Sequence, residues 1–132
     1  MKQEHKELLL KDICARLPYG IKASYYGVEE ECETWDEIEG ITLDEDFGGY
    51  VDIGQYSLPI ERIKPYLFPM SSMTEEQKFI YGDLCYSVIQ SLANNMQSEL
   101  NELINWLNAH HFDYRNLINK NLAIDCTNLN IY

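Results

Sequence analysis

The sequence predicts an α+β protein with an N-terminal helix, a small curled antiparallel sheet and a C-terminal helical part. Three observations carry this. Extended alternating patterns fill residues 21–60, helical periodicity takes over after Thr74, and a proline-stiffened stretch from Ile60 to Gln77 joins the two. Within that stretch Thr74 and Gln77 have the spacing of a capping box, in which hydroxyl and amide side chains each satisfy an orphan backbone N–H, so Thr74 marks a helix start. Pro65 and Pro69 lack amide hydrogens and drive Lys64 and Phe68 toward extended geometry. Ile60, Ile63, Tyr66, Leu67, Phe68 and Met70 are too apolar for a free linker. The stretch is therefore expected to lie as a stiff, non-helical strap packed across both parts, 1–70 and 71–132, in one compact unit.

Each element follows from its pattern. Glu4 to Leu17 reads as a helix with Leu9, Leu10, Ile13, Cys14 and Leu17 on one stripe and Lys6, Glu7, Lys11 and Asp12 mostly off it, stopped by Pro18-Tyr19-Gly20. Ile21, Ala23 and Tyr25 alternate with Lys22, Ser24 and Tyr26, the period of a strand with one buried face. Trp35 to Leu43 is a second strand, Asp44-Glu45-Asp46 a polar tip before Phe47, and Tyr50, Val51 and Ile53 resume the extended pattern. Tyr56 to Ile60 adds a short strand that Pro59 confines to an edge or an end. Three or four short strands with permissive glycines (Gly48, Gly49, Gly54) suggest a curled sheet or a partial barrel similar to SH3-like barrels, which by itself implies no function.

Beyond Thr74, Phe79, Ile80, Leu84, Val88, Leu92 and Met96 recur every three to four residues, with Cys85 and Ile89 widening the face. Asn94-Asn95 is expected to break this helix and Ser98 to cap a second one with Leu100, Leu103, Ile104 and Leu107 inward; one bent helix over 75–110 is the alternative. Asp113 is expected to cap a short helix through Ile118, Asn121 to end it in a left-handed conformation, and Leu122-Ala123-Ile124 to form a last strand or tail.

Composition bounds function. The 132 residues, 45% of them hydrophobic, fit one domain with a real core. Residues 1–20 lack the apolar core of a signal peptide, because Lys11, Asp12 and Arg16 interrupt it, and no later run approaches membrane-spanning length. A cytoplasmic protein with no membrane partner is expected. The net charge is −12, and more than half of the 22 acids lie between Lys22 and Arg62, an interval without a single Lys or Arg. Such a field repels phosphate and opposes nucleic-acid binding; its complement is a basic protein partner, or it simply keeps the chain soluble. Mimicry of a nucleic-acid backbone by an acidic inhibitor is a further alternative.

Leu17-Pro18-Tyr19-Gly20-Ile21-Lys22, Ile63 to Thr74, His111-Phe112-Asp113-Tyr114-Arg115 and Leu122-Ala123-Ile124-Asp125 together resemble a group of small proteins from gut bacteria and their phages or mobile elements. The resemblance covers both ends and the strap. It implies a soluble accessory protein and, since the group has no assigned activity, carries over no catalytic residues.

Motifs for chemistry are weak. Cys14, Cys32, Cys85 and Cys126 are widely spaced, with neither a zinc pattern nor a disulfide framework. His110, His111 and Asp113 offer ligands, but adjacent histidines cannot face one point on a helix. Asp44 to Gly48 is a poor calcium loop, its glycine early and its twelfth position Gln55. No catalytic residue, metal ligand or cofactor motif stands out. A non-enzymatic protein-interaction or adaptor module is the reading the sequence favours, with homo-oligomers open. The alternative is a small hydrolase or metal-dependent enzyme in which His110 or His111, a carboxylate and Cys126 would have to converge. The candidate interaction surface combines Lys64, Tyr66 and Phe68 of the strap with Phe112, Tyr114 and Arg115, aromatics beside scarce positive charge. The competing assignment has Phe112 and Tyr114 anchoring the last helix while Arg115 pairs with a nearby acid.

Overall fold

A computed structural model of the chain describes residues 1–44, 48–91 and 97–132. The fold is α+β: helix α1 (Gln3–Arg16), strands β1 (Lys22–Gly27), β2 (Cys32–Asp44), β3 (Gly48–Ile53), β4 (Tyr56–Pro59) and β5 (Lys64–Pro69), helices α2 (Glu75–Gln90) and α3 (Gln97–Ala109), and two-residue strands β6 (Phe112–Asp113) and β7 (Ile124–Asp125). The expected tip at Glu45-Asp46-Phe47 and the break at Asn94-Asn95 lie outside the described residues.

The first five strands are antiparallel, in the order β4-β3-β2-β1-β5. β2 is long because it serves two partners: Cys32–Glu37 pair with β1 and Ile38–Asp44 with β3, and the register shifts by one residue between Ile38 and Gly40. A bulge at that point bends the strand and curls the sheet. The antiparallel sheet expected over residues 21–60 is present, and two short strands extend it. β6 and β7 both pair with β5 in parallel, giving a mixed, open sheet of seven strands.

β5 is where the parts meet. Pro59 and Pro69, extended at ψ 144° and 146°, each precede a single 3-10 turn, so the strap consists of two tight turns flanking one strand. β1, β6 and β7 all pair with that strand. Leu67 enters the main core with Leu9 and Ile13 of α1, Ile21, Ala23 and Tyr25 from the β1 region, and Val51 and Ile53 of β3. Burial of each Leu, Ile or Val among them is worth about 1.5–3 kcal/mol. Tyr66 packs with Cys126 and Ile131, and Phe68 reaches a third cluster around Met73, Leu107 and Phe112.

The Thr74 capping box is complete, the Gln77 amide donating to Thr74 Oγ1 (3.1 Å) and the Thr74 amide to Gln77 Oε1 (2.9 Å). Two helices follow rather than one bent rod, stacked Tyr81 against Trp106 near one end, so they run antiparallel. Ser98 lies inside α3 and does not cap it. The expected inward stripe of α2 is also corrected. Leu84, Cys85 and Val88 are half-buried with Tyr81, whereas Phe79 is 71% exposed and Ile89 60%. No short helix runs from Asp113 to Ile118, because Asn116 adopts a left-handed φ of 63° that a helix cannot accommodate. Asp113 instead accepts from the amides of Leu117 and Ile118, both at 2.9 Å, and fixes a turn. Asn121, at φ 59°, is left-handed as expected. Among the described residues no helix is long and apolar enough to cross a membrane.

Candidate functional site

Two features stand out where β5, the two later helices and the C-terminal segment converge. The first is a buried charge cluster. Asp12 and Arg16 stand one helical turn apart on α1, both with fully buried side chains. Arg16 donates to Asp12 through Nε (2.9 Å) and Nη2 (3.1 Å), Arg115 adds a bond to Asp12 Oδ1 (2.7 Å), and Arg16 Nη2 also reaches the Phe112 carbonyl (2.6 Å). The Tyr114 ring lies against both guanidiniums, and its hydroxyl donates to Asn108 (2.7 Å). Asp12, expected off the buried stripe, is corrected to a core residue. It belongs there because two guanidiniums satisfy its oxygens.

The second feature is an aromatic cleft of about 480 Å³ lined by Phe68, Phe112, Tyr132, His111, Gln77 and Thr127, among others. Its floor is set by the end of α3. His111 takes the left-handed position just past that helix, φ 60°, where Gly or Asn is usual, and its amide donates to the Asn108 carbonyl (3.1 Å). This aims the imidazole at Tyr132, with ring centroids 3.8 Å apart and planes within 12°. Tyr132 is itself fixed, accepting from the Lys22 amide (2.9 Å) and donating to the Tyr66 carbonyl (3.0 Å). Burial pushes its phenol well above the usual range. His111 is 7% exposed and its Nδ1 is buried without a partner. Burial, helped by Arg16, His110 and Lys22, lowers its pKa to about 4. The ring is therefore neutral near pH 7.

The six predicted interaction residues do not share one open patch. Lys64 donates to Asn121 (3.0 Å), Tyr66 is 8% exposed, Phe112 is 2% exposed, and Arg115 is paired with Asp12. Phe68, half-buried, contacts Phe112 and Tyr132 and lines the cleft. Tyr114 belongs to the charge cluster. Of the groups an enzyme would need, Cys126 is buried with its thiol pushed up to about 11, the reverse of an activated nucleophile. Asp113 spends both oxygens on backbone amides. Among the described residues no three His, Cys, Asp or Glu side chains gather as a metal site would require.

Outside this region one surface is conspicuous. On α2, Phe79, Gly82, Tyr86 and Ile89 fall at helical spacing within about 80° of arc. Tyr86 is 63% exposed, and a Cβ placed on Gly82 would meet nothing within 4 Å. Phe79 and Ile89, expected in the core, lie on this exposed side with Tyr86, and the helix carries apolar residues on more than one side. The Asp12–Arg16 pair was legible as an i,i+4 spacing. Compared with known protein families, curated proteins and solved structures, the chain shows no match.

Proposed function

We propose that the protein is a non-enzymatic interaction module whose docking face is the outer side of α2. The observation that carries this is that α2 buries none of its residues fully while presenting Phe79, Tyr86 and Ile89 to solvent. Large aromatics on a preformed helix supply contact area at low entropic cost. Gly82 among them leaves room for a partner's backbone. The occupant is a basic amphipathic segment of another protein. Glu75, Glu76 and Asp83 border the apolar residues, and the cation beside them, Lys78, is engaged by Glu75 (3.1 Å). A net charge of −12 sets copies of the chain against each other and favours a cationic partner.

The test is to map the binding segment of a captured partner and titrate it as a synthetic peptide. The peptide should carry net positive charge, bind more weakly as salt rises, and lose about a hundredfold in affinity to Phe79→Asp, which sits on an exposed face and spares the fold. Affinity of Phe79→Asp and Tyr86→Asp equal to that of the unaltered protein, or an acidic peptide, contradicts the proposal. So does a dimer by light scattering that Phe79→Asp dissolves.

A further inference from the structure

We infer that the cleft at the end of α3 is a binding site for a small planar aromatic carboxylate. Its walls are rings: Phe68 lies 6.3 Å from Phe112 and 6.0 Å from Tyr132, and His111 stacks on Tyr132. These rings pack on one another and turn their remaining apolar surface to the cleft, where a planar body can lie, and about 480 Å³ is the size of a small-ligand pocket.

The polar groups are donors. His111 Nδ1 is sealed without a partner, and a buried unpaired N–H costs more than a buried unpaired lone pair. The proton therefore resides on Nε2, the nitrogen left to reach the cleft as a donor. Gln77 has its Oε1 committed to the Thr74 amide, which leaves its NH2 group to offer. The start of the 16-residue helix α2 at Thr74 and Gln77 adds the positive end of a helix dipole. Among the described residues no Asp or Glu side chain lines the cleft, in a chain with 22 acids. Arg16, itself paired with Asp12, and Lys22 lie close enough to oppose protonation of His111.

Holding His111 at φ 60° costs backbone energy that Gly or Asn would avoid. The cleft is separate from the outer face of α2, so Phe79→Asp leaves it intact and the two proposals fail independently.

The experiment is an NMR titration with indole-3-carboxylate, and with indole-3-carboxamide as the uncharged analogue, following the His111 ring and the Trp106 indole N–H. Saturable shifts at His111 are expected for the carboxylate, weakened by about tenfold or more in His111→Gly, which suits the left-handed backbone. The second variant is Gln77→Glu. Glu preserves the capping box and the fold but puts a negative charge at the cleft, so carboxylate affinity should fall by about tenfold while the carboxamide changes by less than about twofold. Absence of saturable shifts up to the solubility limit overturns the inference. So do shifts that neither variant alters, or an equal loss of both compounds in Gln77→Glu.

Discussion

Asp12 bridges Arg16 and Arg115 inside the protein and ties α1 to the segment after α3. Taking its charge away leaves two guanidiniums without their counter-ion, one of them fully buried. Asp12→Asn should therefore lower unfolding free energy by about 3–5 kcal/mol in urea titrations, and a loss under about 1 kcal/mol would mean that the cluster reaches water. His111 makes a different prediction. In an unfolded chain its imidazole titrates near 6.5, and in the fold, facing Arg16 of α1, Lys22 of β1, His110 and the Tyr132 phenol, near about 4. Between these values the unfolded chain holds a proton that the folded one does not. The stability this group leaves intact above pH 6.5 is lost progressively as pH falls toward 4. His111→Asn, which tolerates a positive φ, should flatten that part of the stability profile in urea midpoints measured across the window; an unchanged slope would place the titration elsewhere.

At the scale of elements, α2 rests on its cap and on one half-buried side. Thr74→Ala removes the hydroxyl that accepts from Gln77 and should cost about 1 kcal/mol by urea denaturation. Gly82→Ala adds a methyl in open space on an exposed helix and should gain about 0.5–1 kcal/mol in the same assay. A loss instead would show that something already lies against that face. The same helix shows what could be read from sequence. Thr74 and Gln77 are three residues apart and report on each other, so the helix start was legible to the residue. Which side of α2 turns inward was not, because Phe79 and Tyr86 lie on one side and Leu84 and Val88 on another, and the choice is made by Tyr81 stacking on Trp106. The strap was legible from its prolines and apolar residues. Its parallel partners were not, since two-residue strands at 112–113 and 124–125 carry no alternation of their own. Of the two sites, the rings at Phe68 and Phe112 were visible as residue types. The orientation of His111 was not, because it depends on a left-handed position that His rarely fills.

Over the whole molecule, charge and packing work against each other. A net charge of −12 repels itself through the folded surface, with Lys6 to Glu61 (2.9 Å) one local offset. Raising salt to screen that repulsion should raise Tm, and a fall would mean that the ion pairs outweigh the surplus charge. The open sheet and the β5 junction hold the body together, leaving the outer side of α2 as a preformed apolar face rimmed with acid. Photo-crosslinking from position 86 in cells that express the protein tests that claim most directly. A photoreactive phenylalanine there should label one protein within a Lys- and Arg-rich segment, and adding Phe79→Asp should abolish the label. Labelling of a second copy of the same chain, or none from position 86 while position 37 on β2 labels a partner, would contradict it.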